Sequence, residues 1–267
     1  PQLKVDSDPG EEVVYEAADQ PVRVESGLGT VTQSGTVNAD GGSVVLTASD
    51  DVILAAGSKT QAVDGEVITY AYDFGTKEAT TSFEEGAVIN VGTGLAEICG
   101  NHILFAGSVD AAPEGTIQVD PITLTIADTR PVSGAELDTL YEEDIESYSK
   151  AGVNLDLAAD DMITVEYMAD SDMPGEITGG SGDIYLRNIY ADGGIYFEQQ
   201  NEDTHTGPRS SIRTVAYYES TADHRDGGNI YMDAGSGGIV AGNLFTGTLS
   251  QDKLSQPGEI VLRTANG

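Results

Sequence analysis

The sequence predicts an all-β chain wound as a right-handed parallel β-helix, a β-solenoid with loop insertions and room for one short helix. Three observations predict it. First, one unit recurs from end to end, a glycine followed by alternating apolar and polar residues and closed by a small one. It reads GGSVVLTA at 41–48, DGEVITYA at 64–71, EGAVINVG at 85–92, EGTIQVDP at 114–121, AGVNLDLA at 151–158, SGDIYLRN at 181–188, GGNIYMDA at 227–234 and PGEIVLRT at 257–264. Period-two alternation after a glycine is a strand leaving a corner, because successive side chains point to opposite faces. Second, the leading glycines Gly42, Gly65, Gly86, Gly115, Gly152, Gly182, Gly228 and Gly258 stand 23, 21, 29, 37, 30, 46 and 30 residues apart. Stacked rungs tolerate such a spread, since strands must stay in register while the loops between them need not. Third, 33 glycines, no tryptophan and 39% hydrophobic residues suit a narrow core with many corners.

Residues 1–28 read as an N-terminal extension or the start of the first rungs, and 29–267 as a single β-helix domain. Within it, strands follow at 29–37, 44–46 and 52–55, separated by the Asn, Asp and Gly residues that tolerate corners. Wider excursions at 73–85, 131–150 and 199–226 are expected to protrude, the last with enough apolar content at 212–218 for a further strand. The stretch 131–150 departs from the strand pattern: Ala135, Leu137, Leu140, Tyr141 and Ile145 line one side of a short helix, with Ser133 as cap and Glu136 three residues on. Its acidic run Glu142-Glu143-Asp144 reads as a solvated face. The core is assigned to Ile117, Val119, Leu124, Ile126, Val153, Leu155, Leu157, Ile184, Leu186, Ile195, Ile230, Met232, Ile260 and Leu262, a row that a one-residue slip would turn outward.

Twelve Lys and Arg against 45 Asp and Glu give a net charge of −33. Such a field excludes nucleic acid and anionic lipid as partners and admits cations and basic surfaces. Cys99 is the single cysteine, so no intrachain disulfide forms, and its setting Ile98-Cys99-Gly100 is that of a small core residue. No apolar run is long enough to span a bilayer as a helix. Opening on Pro1 and closing on Ala265-Asn266-Gly267, the chain reads as a piece of something longer.

No catalytic constellation is expected. Asp156, Asp160, Asp161, Asp170 and Asp172 cluster, but 45 carboxylates in 267 residues make clusters commonplace. The one mixture of basic and acidic side chains is His205, Arg209, His224, Arg225 and Asp226. Calcium candidates are Asp6 with Asp8 and Asp170 with Asp172, each pair equally readable as a turn, and no other cofactor is implied. Ligand contacts are assigned to Tyr185, Tyr190, Tyr196 and Tyr231, with Arg209 and His224; aromatics along a groove suit a glycan, and the competing reading has the tyrosines stacked on one another between rungs. Sodium and calcium at matched ionic strength are expected to raise the melting temperature equally, since screening relieves self-repulsion of a chain this acidic. A saturable rise at low calcium concentration would instead reveal a specific site.

Residues 35–48, 115–126 (Gly-Thr, then Asp-Pro, then Leu-Thr-Ile), 151–165 with their Val-Asn-Leu-Asp-Leu strand, and 227–247 resemble segments of filamentous-haemagglutinin-type large exoproteins. The resemblance covers 29–267 and leaves 1–24 outside. It implies a bacterial protein secreted through an outer-membrane partner barrel, with a right-handed β-helical shaft that serves adhesion, aggregation or contact-dependent competition. The function expected is therefore a non-enzymatic structural or adhesive segment of a secreted surface filament, touching neighbouring rungs or end-to-end copies and a glycan or protein receptor. The alternative is a β-helical polysaccharide-binding or polysaccharide-degrading protein.

Overall fold

The computed structural model describes residues 15–16, 22–26, 29–39, 41–169, 174–188, 190, 192–201, 206–216, 226–248 and 256–265. They divide into two compact units, one drawn from 1–121 and 133–138, the other from 122–132 and 139–267.

In the first unit the chain repeats a circuit of three strands. The circuits are β1 (Tyr15–Glu16), β2 (Val22–Ser26) and β3 (Val31–Gln33); β4 (Thr36–Asn38), β5 (Ser43–Ala48) and β6 (Val52–Leu54); β7 (Lys59–Gln61), β8 (Glu66–Ala71) and β9 (Thr80–Phe83); β10 (Val88–Gly92), β11 (Leu95–Gly100) and β12 (His102–Phe105); then β13 (Ser108–Ala111) and β14 (Thr116–Asp120). Equivalent strands pair in parallel, giving sheets β1-β4-β7-β10-β13, β2-β5-β8-β11-β14 and β3-β6-β9-β12. Register keeps like with like: Val44, Val67, Ala96 and Ile117 form one column, all buried.

The second unit continues with β15 (Thr123–Ala127), β16 (Thr139–Tyr141), α1 (Glu142–Lys150), β17 (Asn154–Ala159), β18 (Met162–Val165) and β19 (Glu176–Gly179). There follow β20 (Ile184–Asn188), β21 (Gly194–Phe197), β22 (Gln199–Asn201), β23 (Thr206–Arg209), β24 (Ser211–Ala216), β25 (Ile230–Ala234), β26 (Gly238–Val240), β27 (Leu244–Thr248) and β28 (Ile260–Thr264). Its parallel sheets are β17-β20-β25-β28, β16-β15-β18-β21-β26 and β19-β24-β27, with β22 and β23 as an antiparallel hairpin. Both units are thus all-β and solenoid-like, in agreement with the sequence.

Why glycine leads so many strands is a matter of contact between turns. A Cβ on Gly65 would lie 1.9 Å from the carbonyl oxygen of Gly42, and one on Gly94 1.9 Å from that of Gly65. In the second unit Gly182, Gly228 and Gly258 stack in the same way, at 2.0, 2.1 and 2.2 Å from the carbonyls of Val153, Gly182 and Gly228. Two of the sequence-aligned copies shift accordingly. Gly86 precedes β10, which joins β7 and β13, so the true neighbour of Gly65 is Gly94. Gly152 is one residue early, because Leu155 pairs with Ile184 and Val153 therefore takes the glycine position.

The assigned core row is buried except at Ile260 and Leu262, which are 42% and 52% exposed. An inward side chain is covered by the other two sheets at its own level, and those sheets end at β26 and β27 among the described residues. The helix is also shorter than the sequence implies. Residues 139–141 are strand, Leu137 is exposed, and α1 starts at Glu142 with Tyr141 as an N-cap that makes no side-chain bond, so Ser133 caps nothing there. Its three first-turn acids suit the positive end of the helix dipole. Glu142, read as part of a solvated face, is buried with Ile145, Glu146 and Ser149. Of the expected excursions, Thr80–Phe83 is β9 with Phe83 fully buried, and Ser211–Ala216 is β24 with Ile212 and Val215 buried.

Candidate functional site

On the outward side of β17, β20, β25 and β28, side-chain oxygens accept from the backbone amides of the next rung. Asn154 Oδ1 accepts from Asp183 N at 3.0 Å, Asp183 Oδ1 accepts from Asn229 N at 2.8 Å, and Asn229 Oδ1 accepts from Glu259 N at 2.6 Å. One position along, the rings of Tyr185 and Tyr231 lie 4.4 Å apart and 8° from parallel. Tyr185 Oη donates to Asp183 Oδ2 at 3.1 Å, and burial first, then the Asp183 charge, raise its phenol above the usual range. Below the pair in register is Asp156, gripped at both oxygens by Arg187 with Nε 2.5 Å from Oδ1; above it is Val261. The two rings therefore each lend one face to the other within the ladder.

The other assigned contacts sit elsewhere. Tyr196 belongs to β21, and the Arg209 guanidinium lies 4.9 Å from its ring centre while Arg209 Nη1 donates to Phe197 O at 2.5 Å. Tyr190 occupies the corner between β20 and β21 and is 50% exposed. Thus the structure brings Tyr185 to Tyr231 and Tyr196 to Arg209, on different sheets. Asp6, Asp8, Asp170, Asp172 and His224 lie outside the described residues, as do His205 and Arg225.

Among the described residues the most exposed aromatic side chain is in the first unit, where sequence reasoning passed over it. Tyr70, at the end of β8, stacks on Tyr72 at 5.5 Å and 8°, and Tyr72 meets Phe74 at 4.6 Å and 56°. Phe74 is 83% exposed. Its turn is fixed by its neighbour: Asp73 Oδ1 accepts from Gly75 N at 2.7 Å, Oδ2 accepts from Thr76 Oγ1 at 2.5 Å, and Asp73 N donates to Asn101 Oδ1 at 2.7 Å. The bonds from the Thr76 hydroxyl and the turn amides hold the Asp73 carboxyl below its usual range. The result is an exposed ring on a backbone ordered in advance, which lowers the entropic cost of contact. Alternation of Tyr70, Tyr72 and Phe74 was the signal that could have found it.

A second unforeseen arrangement is His102 with Asp138. His102 Nδ1 stands 2.6 Å from Asp138 Oδ2, and Asp138 Oδ1 accepts from Ile103 N at 2.8 Å, while Asp138 N donates to Ile103 O at 2.7 Å. These bonds fasten residues 133–138 to β12. Among the described residues no group of three or more His, Cys, Asp or Glu could hold a metal ion, and no helix is long and apolar enough to cross a membrane. Compared with known proteins, the chain matches no family model, no curated protein and no solved structure.

Proposed function

We propose that this chain is a structural and adhesive segment of a secreted bacterial surface protein of the filamentous-haemagglutinin type, a right-handed parallel β-helix whose rungs set reach and stiffness. Its stacked strands serve as a scaffold, and contact with a receptor is made by side chains held off it. The observation that carries this reading is the Tyr70, Tyr72 and Phe74 cluster, exposed at its tip and fixed at its base by Asp73 and Asn101. The ladder from Asn154 to Glu259 supports it too, because outward side chains spent on the backbone of the next rung are scaffold and not contact surface. Export through an outer-membrane partner and residence at the cell surface belong to the same proposal.

Phe74→Ala tests it. The ring buries little, so the melting temperature is expected to stay within about 2 °C of the parent. Binding of the purified chain to a glycan array and to immobilised matrix proteins is expected to fall at least about fivefold, the loss of roughly 1 kcal/mol for one aromatic contact. No binding by the parent chain, or undiminished binding by the variant, overturns the proposal. Release of oligosaccharides from bacterial or plant polysaccharides, abolished at Arg209 or His224, would establish the polysaccharide-degrading alternative in its place.

A further inference from the structure

In the second unit α1 runs between β16 and β17 and packs against β19, the edge strand of the sheet β19-β24-β27. A sheet edge presents unpaired N–H groups that must be covered or solvated. Here the helix covers them with side chains. Glu146 Oε1 accepts from Thr178 N at 2.6 Å, and Ser149 Oγ accepts from Gly180 N at 3.0 Å while donating to Gly182 O at 2.9 Å. One turn before Glu146 on the same stripe is Glu142; the two are 6% and 8% exposed. Two ionised carboxyl groups buried one turn apart repel, and the repulsion is relieved when one of them carries a proton.

We propose that α1 is a pH-sensitive plug on the edge of β19, seated while Glu142 is protonated and loosened when that proton leaves. The charged side chains that act on Glu142 favour its neutral form, against the pull of the helix's positive end. Glu146 and Glu143 on the helix, and Asp128 from the segment after β15, are all negative. The nearest cations are committed elsewhere: Lys150 pairs with Glu146, and Arg130 pairs with Asp144, stands 3.9 Å from Glu143 and lies over the Tyr141 ring. Desolvation by burial, then the hydrogen bond and charge of Glu146, then Asp128 and Glu143, push Glu142 up to about 8 from an ordinary 4.5. A carboxyl raised on folding stabilises fully below its unfolded value, and that contribution drains away as pH climbs from 4.5 to 8 and is gone above. Ionised Glu142 would then face Glu146 across a buried contact, with exit of the helix as the relief.

Amide exchange of the whole chain between pH 6 and pH 9, corrected for the intrinsic rate, tests this. Protection of Thr178 and Gly180 is expected to fall at least about tenfold over that range, while Ile98 in β11 keeps its own. Glu142→Gln, which stays neutral and can still bond Glu146, is expected to abolish the fall. Should that variant fold poorly, Asp128→Asn is expected to shift the midpoint to lower pH by removing a negative charge that favours the proton on Glu142. Flat protection in the parent, or the same fall in Glu142→Gln, overturns the proposal, as does an unmoved midpoint in Asp128→Asn.

Discussion

Gly65→Ala is expected to cost the first unit more than about 3 kcal/mol, a large share of the roughly 5–15 kcal/mol that ordinarily separates folded from unfolded. The added Cβ would sit 1.9 Å from the Gly42 oxygen and 3.0 Å from its carbonyl carbon, so the obstacle is backbone and not a side chain that can swing away. Relief requires prising two turns apart where Glu66 N donates to Gly42 O at 3.1 Å and Val67 pairs with Val44. Gly57→Ala is the instructive comparison. Gly57 has φ +81° and open space around a Cβ, so only the left-handed backbone resists, for about 1–2 kcal/mol. Chemical denaturation of both variants reads the difference. Equal losses would mean that the turns are not in the contact described, and a larger loss at Gly57 would mean that backbone conformation outweighs stacking.

Phe83→Ala is expected to lose about 3–5 kcal/mol, the usual range for emptying a large aromatic site in a core that cannot collapse to fill it. Phe83 is fully buried on β9 and meets the Phe105 ring edge to face at 5.5 Å and 85°. The site also explains a glycine. A Cβ on Gly107 would come within 2.4 Å of the Phe83 ring, so Gly107→Ala should be costly in the parent chain. With the ring removed the methyl has somewhere to go. The double variant is therefore expected to be more stable than the sum of the single losses by at least about 1 kcal/mol, a coupling within the range of directly touching residues. Additive losses would show that Gly107 is held for some other reason.

What could be read of the candidate sites followed the same division between local and distant information. Stacking of Tyr185 on Tyr231 was open to sequence reading because both occupy the same place in the repeats SGDIYLRN and GGNIYMDA, and parallel in-register pairing puts equal positions side by side. Tyr196 does not share that place, and its partner Arg209 comes from a hairpin whose docking no repeat encodes. The exposed Phe74 was hidden by its setting, since residues 73–85 are mostly polar and nothing local tells that Asn101, from the next circuit, anchors the turn.

The sequence by itself determined that the chain is all-β, where most strands run and which of their faces points inward. Period-two alternation is a property of adjacent residues, and it sufficed for the row from Ile117 to Met232. Only the tertiary structure decided which sheet each strand joins, so that β10 after Gly86 pairs with β7 and β13 while the similar β11 after Gly94 pairs with β8 and β14. Sheet membership depends on the angles of the corners and on partners some twenty to thirty residues away, and neither leaves a mark on the alternation itself. The same holds for burial without partners in sequence. Glu142 is a surface acid by composition and a buried one by virtue of β19, whereas Ile260 and Leu262 have the pattern of core residues and lie open because no described strands of the other two sheets reach their level.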